Sequence, residues 1–382
     1  MRPHVTVLMS VRNGGTFLRA AIDSIARQSL DAFEFVIVDD GSTDSTLAIL
    51  EQASRNDRRI RVITGGTEGI AAALETGRAV ARGAYIARMD GDDVSLPRRL
   101  AAQAAYLDAH PDVVAVGGQV RIIDGSGKMH SRGLFPATPA ACRAYLAFGA
   151  PFCHPAVMMR GDALRQVGGY RRRFEPAEDF DLWLRLSAVG NLANLDEEIL
   201  QYRMHPGTVT RRRSRANARA ACLARLAHIY GETILPCNWQ QFQSGDAEWL
   251  AVEAVLPPQL RLEARGAYLR ALTLNSGITE PDAWPFFVNA LPEIARHSQI
   301  VGQTHMLAFM IVRAAYQLAR SGAPFRGLFI LCLGMRYAPG VTLLESLASV
   351  RARLGAGQVH RAGTPRIQPA LDAPATGAGP GP

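Results

Sequence analysis

The first hundred residues alternate between two hydrophobic periods. "VTVLMSV" (5–11) is the continuous apolar run of a strand buried on both faces. "GTFLRAAIDSIARQS" (15–29) follows, with Phe17, Leu18, Ala21, Ile22 and Ile25 at helical spacing. "FEFVIVDDGSTDST" (33–46) predicts a second strand that ends in acidic and turn residues, and "STLAILEQASR" (45–55) predicts its helix. "IRVITGG" (60–66) reads as a third strand, "IAAALETGRAVARG" (70–83) as a third helix and "AYIARMD" (84–90) as a fourth strand. Strands separated by helices of this length imply a parallel sheet with right-handed crossovers. Ligands of such sheets sit beyond the carboxyl ends of the strands. Asp39 and Asp40 end one strand and Asp90, Asp92 and Asp93 follow another, so two acidic strand ends point to one crevice.

Beyond residue 100 the pattern is mixed. A helix near 98–109 precedes the strand "VVAVGGQVRIID" (113–124), and "FEPAEDFDLWLRL" predicts a helix starting near Pro176 with Phe180, Trp183, Leu184 and Ser187 on one stripe. From 215 to 354 the chain reads as largely helical, with weak breaks at Pro236, Pro257, Pro258, Pro281 and Pro285. Residues 355–382 are Gly, Ala and Pro with few large apolar side chains and read as a disordered tail. The expected division is therefore 1–214, 215–354 and 355–382.

Composition changes this picture little. Of 382 residues, 48% are hydrophobic and 20% charged, as in an ordinary globular protein long enough for two domains. The net charge of +8 permits an acidic partner, be it anionic lipid, diphosphate or nucleic acid. Nucleic acid is disfavoured, because the arginines are scattered and aromatics total only 7%. Five cysteines with no C-x-x-C pair argue against a disulfide framework or structural zinc and fit a reducing cytosol. There is no signal-peptide pattern at the start, and the apolar stretches "MLAFMIV" (306–312) and "GLFILCLGM" (327–335) are too short to span a membrane.

"RMDGDD" crowds three carboxylates into four positions, and like charges this close need a positive partner. Together with "VTVLMSVRNGGTFLRAAIDSIARQSLDAFEFVIVDDGSTDST", "HPAVMMR", "VGGY", "EDFDLWLRL" and "YRMH", in this order and spacing, it resembles glycosyltransferase family 2 over about residues 3–210. The resemblance implies an α/β GT-A fold, Rossmann-like, with a mixed, mainly parallel sheet flanked by helices and followed by a mostly helical C-terminal region. It also implies inverting transfer of a sugar from a nucleoside diphosphate, UDP foremost, to a hydroxyl of a glycan or lipid-linked acceptor in cell-surface polysaccharide biosynthesis. A cytoplasmic location, with peripheral contact at the inner membrane face, goes with that role.

By the same resemblance Asp90 contacts the ribose or nucleotide, and Asp92 ligates Mn²⁺ or Mg²⁺ with His205 as a further ligand. Ser10, Arg12 and at least one of Asp39 and Asp40 hold the base. Asp179, the second acid of the Glu178–Asp179 pair, is the general base, while His154, Glu178 and Trp183 line the acceptor or sugar pocket. The residues alone also allow blander roles. Asp93 suits a cap on the helix beginning near Leu96–Pro97, and Asp44 and Ser45 suit a turn and an N-cap. Glu178 and Asp179 suit a helix dipole, which would lower a carboxyl pKa, Asp181 and Arg185 a surface pair, and Trp183 the core. The arginine runs 171–173 and 211–213 read as solvated loops, or else as a clamp for phosphate or anionic lipid. Thr67 and Glu75 stand where the family commonly has asparagine, which leaves contacts from that loop open. The rival functions are a nucleotidyltransferase-like enzyme, for which "VRNGGTF" lacks a phosphate-gripping lysine, and a non-catalytic nucleotide-sugar-binding protein, which has no need of the Glu178–Asp179 pair.

Overall fold

The computed structural model describes residues 3–146, 149–205 and 214–235, with short stretches and single positions between 256 and 315. The arginine run 211–213, both apolar stretches past 300, most of the 215–354 region and the 355–382 tail lie outside the described residues. The N-terminal elements are β1 (Val5–Val11), α1 (Leu18–Ala26), β2 (Phe33–Asp39), α2 (Thr46–Asn56), β3 (Ile60–Thr64), α3 (Ile70–Ala79) and β4 (Tyr85–Met89). A two-residue β5 (Val94–Ser95) leads to α4 (Arg99–Ala109), β6 (Val113–Ile123), β7 (Met129–Gly133), α5 (Pro139–Tyr145), β8 (Met158–Arg160) and α6 (Gly161–Gln166). Then come α7 (Glu178–Leu186), β9 (Asn191–Arg203) and α8 (Ser214–Tyr230).

The strands form one mixed sheet in the order β3-β2-β1-β4-β8-β6-β9-β5, with β7 on the side of β6. β3, β2, β1 and β4 pair in parallel, β8 runs antiparallel between β4 and β6, and β9 returns parallel to β6. Alternation along β1 shows why the sheet is covered on both faces. Val5, Val7, Met9 and Val11 enter a core shared with Leu18, Ile22 and Ile25 of α1, Leu50 of α2 and Leu100 and Leu107 of α4. Leu8 faces the other way, into a core with Leu74 of α3, Phe180 and Trp183 of α7, and Leu223 and Leu226 of α8. Helix α8 therefore shares the core of the preceding elements. Among the described residues, no helix is long and apolar enough to cross a membrane.

Buried polar side chains lock this frame near the crevice. Arg99 of α4 donates from Nη2 to the Arg88 carbonyl at 2.6 Å, and burial lowers its pKa to about 9. Gln103, one turn on, donates to the carbonyls of Val116 and Ala156, both at 2.8 Å, tying β6 to the short helix before β8. Gln28, just past α1, donates to the Leu96 carbonyl at 2.8 Å and accepts from the Leu100 amide at 3.0 Å.

Asp181 and Arg185 are not a surface pair. Asp181 is 1% exposed, accepts from Arg185 at 2.6 Å and also pairs with Arg171. Arg171 and Arg173 pair further with Glu232, and Arg172 lies 3.6 Å from Glu68, so the 171–173 run is ion-paired and not simply solvated. Removing the central acid strands two arginines in a mostly buried setting. Asp181→Ala should therefore cost about 3 kcal/mol in urea unfolding, and a loss below about 1 kcal/mol would contradict this role.

Candidate active site

The crevice opens where β1, β2 and β4 end. Ser10 is half-buried near the end of β1, and Arg12 is exposed just past it. Asp39 and Asp40 are both buried but differ in what holds them. Asp40 is committed to the fold: Oδ1 accepts the Glu68 amide at 3.0 Å and Oδ2 the Gly69 amide at 3.2 Å. Asp39 has Oδ2 3.3 Å from the Ser42 amide, while its buried Oδ1 has no hydrogen-bond partner. Of the two, Asp39 is thus the one with an oxygen free for a ligand. Asp44 closes the turn by accepting the Thr46 amide at 3.0 Å and the Gly15 amide at 3.2 Å, and the bonds from Thr46 lower its pKa. Ser45 sits at the N-cap of α2 without a side-chain cap bond.

The acidic knot is as crowded as its sequence implies. One carboxylate oxygen from each of Asp90, Asp92 and Asp93 lies within 4.8 Å of the others. His205 brings Nε2 to 3.0 Å from Asp92 Oδ2, across 113 residues of sequence. Oxygen donors with one imidazole suit a hard divalent cation. The Asp93 assignment needs correction. Helix α4 starts at Arg99 after an Arg98 N-cap without a side-chain bond, so Asp93 caps nothing there. Its Oδ1 instead accepts the Arg203 amide of β9 at 2.7 Å, and its buried Oδ2 is unpartnered. Burial first, then the neighbouring charges of Asp90 and Asp92, raises its pKa well above the ordinary range.

Arg88 was not singled out in the sequence, yet it sits at the centre of the site. It is 1% exposed, forms an ion pair with Asp90 and leaves Nε without a partner. Burial opposes its charge, but Asp90, Tyr170 and Asp93 outweigh that and raise its pKa. A basic residue inside an apolar strand two positions before an aspartate was the only available signal. Arg203 was also missed: it donates from Nε to the Asp92 carbonyl at 2.8 Å and lies 4.6 Å over the Phe17 ring.

Glu178 and Asp179 occupy the first turn of α7, as expected. The expectation that the helix dipole lowers the Asp179 pKa is overturned. Burial raises it to about 6, against the Phe180 amide, which donates to Oδ1 at 2.7 Å, and the charge of Arg88. Burial, then the Asp179 charge, pushes Glu178 up to about 8, and its Oε2 is buried without a partner. Burial and the neighbouring Asp179 charge therefore both favour the protonated form of Glu178.

Two pocket assignments change character. Trp183 is fully buried, edge-on to Phe152 at 5.0 Å and to His154 at 5.7 Å, so it packs in the core and offers no open face to a sugar. His154 Nε2 lies 2.8 Å from the Tyr170 hydroxyl, and burial with the Arg88 charge holds its pKa well below the ordinary value. Glu75, whose role the sequence left open, accepts the Tyr170 amide at 2.6 Å and pairs with Arg78, so it anchors the turn that presents Tyr170. Glu175 reaches the Ala71 amide of α3 at 3.4 Å and was not anticipated.

Comparisons with known proteins bear on the family and the fold. The profile described as Glycosyl transferase family 2 matches residues 6–168. EpsE of Bacillus subtilis (strain 168) is 40% identical over 215 residues, spanning 55% of this chain and 76% of its own length. The O-antigen biosynthesis glycosyltransferase WbnJ of Escherichia coli is 33% identical, over 53% of this chain and 80% of its own. Residues 1–349 of TarS from S. aureus superpose with a TM-score of 0.51 at 17% identity, covering 86% of this chain and 90% of that one. That likeness speaks for the fold, which is GT-A-like. With sequence profile, relatives and fold in agreement, the chain belongs to glycosyltransferase family 2.

Proposed function

We propose that this chain transfers a sugar from a uridine diphosphate donor to a hydroxyl of a glycan or lipid-linked acceptor, with inversion at the anomeric carbon. The observation that carries the reading is the division of labour among the acids of the crevice. A three-carboxylate knot fit for a divalent cation shares its surroundings with a separate carboxyl, Asp179, made more basic by burial. A role in cell-surface polysaccharide assembly, with contact at the inner membrane face, is part of the proposal. It draws on relatives such as WbnJ, whose name places it in O-antigen biosynthesis.

In this account Asp39 offers its unpartnered oxygen to the imide N–H of uracil, beside Ser10 and Arg12, and Asp90 reaches the ribose. Asp92 and His205 hold Mn²⁺ or Mg²⁺. When bound, the cation neutralises charge that develops on the departing diphosphate. Asp179 accepts the acceptor hydroxyl proton, with Oδ1 fixed by the Phe180 amide and Oδ2 available for the transfer. Burial favours the protonated form of Glu178, which adds no second charge beside it. Tyr170 and His154, hydrogen-bonded to one another, form a wall of the sugar pocket backed by Trp183.

Three outcomes check these roles. Asp179→Asn keeps the shape and removes the basicity, so transfer should fall by about 10²–10⁴-fold while UDP affinity changes little. Glu178→Gln should cost less, and near-normal turnover in Asp179→Asn would remove Asp179 from the chemistry. For the cation, EDTA should abolish transfer and Mn²⁺ or Mg²⁺ restore it, with Asp92→Asn matching the chelated enzyme. Full activity in chelator would contradict the metal assignment. Finally, calorimetry should separate the β2 acids. Asp39→Asn should weaken UDP binding about tenfold at unchanged stability, and Asp40→Ala should lower stability by about 1.5–3 kcal/mol through its lost amide bonds. Tighter binding of GDP than UDP would overturn the choice of base.

A further inference from the structure

The base-bearing turn is poorly secured by its own residues. Helix α7 has Ala177 at its N-cap, which offers no side-chain bond. The Ala177 carbonyl takes the first helical bond, from the Asp181 amide at 3.1 Å. The Pro176 carbonyl therefore lies one residue outside the helix and needs a donor from elsewhere. That donor comes from α8, beyond the 6–168 span that matches the family profile: Asn217 Nδ2 donates to Pro176 O at 2.7 Å. On the opposite side, Glu175 reaches the Ala71 amide of α3 at 3.4 Å. The 175–177 turn is thus held by both α3 and α8.

Other contacts repeat the grip along α7. Arg225 of α8 lies 5.2 Å over the Phe180 ring and donates to the Leu146 carbonyl. Glu232, just past α8, pairs with Arg171, which also pairs with Asp181 of α7. Pro176, Phe180 and Asp181 are thereby tied, directly or through Arg171, to the segment 214–232, and Asp179 lies between them in sequence.

We infer that Asn217 is a positioning residue for sugar transfer: by holding the Pro176 carbonyl it fixes the direction in which Asp179 projects from the first turn of α7. The inference rests on Asp179 being the base. It deepens that reading, because α8 then serves catalysis. The inference gives Asn217 no contact with nucleotide or acceptor, so its loss should act on turnover and spare donor binding. A catalytic group displaced by about 1 Å loses up to about 10²-fold in rate.

The test uses the full chain with Asn217→Asp, an isosteric change whose ionised carboxylate cannot donate, and Asn217→Ala as a second variant. Each is made in the wild-type and the Asp179→Asn backgrounds. Transfer rate and UDP dissociation constant are measured for all. In the wild-type background kcat should fall by about 10- to 10²-fold with UDP affinity within about twofold. In the Asp179→Asn background the same changes should alter the residual rate by less than about twofold, as for two residues acting through one step. Retained kcat in Asn217→Ala, equal losses in both backgrounds, or loss of UDP binding along with kcat would each overturn the inference. Normal turnover in Asp179→Asn alone would instead remove the base assignment, and this inference with it, whatever position 217 does.

Discussion

A permanently charged guanidinium, buried beneath a cluster of carboxylates, is the constraint on which the site depends. Arg88 is 1% exposed in the central strand β4 and is paired with Asp90. Its charge also bears on Asp93, Glu178, Asp179 and His154. Without it, acids from the β4 end and from α7 would face each other across little solvent, where repulsion is strong. One guanidinium does not balance them all: burial first, and the neighbouring carboxylate charges after it, raise the pKa values of Asp90, Asp93, Glu178 and Asp179. In the proposed function, this surplus negative charge and the unpartnered carboxylate oxygens would receive a cation and a proton.

The frame that holds this arrangement was legible in the sequence where local pattern decides structure. The apolar runs at 5–11, 33–39 and 113–123 became strands, and the acidic residues after the second and fourth strands met at one crevice, because strand direction in a parallel sheet leaves no alternative. His205 and Asp92 are brought within hydrogen-bond distance across the sheet, a contact that only the family resemblance had suggested.

What was not legible depended on tertiary burial. The helix-dipole argument for Asp179 was correct as a local term and lost to desolvation, which no sequence window reports. Asp93 sits before a helix yet spends its oxygen on the Arg203 amide, 110 residues away. Asp181 and Arg185 have the i,i+4 spacing of an exposed pair and were read as one, but Asp181 is buried and Arg171 pairs with it as well. Asp39 and Asp40 are adjacent and chemically identical. Only the placement of the 68–69 amides shows that one is consumed by the fold and the other is not.

The central claim is that burial, acting against Arg88 and the Phe180 amide, sets the strength of Asp179 as a base. The direct measurement is the pH dependence of kcat/KM, whose limbs report the groups of the free enzyme. Asp179 must be ionised to accept a proton, so kcat/KM should be full above its pKa and lost as pH falls through about 6. An acidic limb near 6 that disappears in Asp179→Asn would support the account. A limb near the ordinary aspartate value of about 3.9, or a limb near 6 that persists in Asp179→Asn, would contradict it.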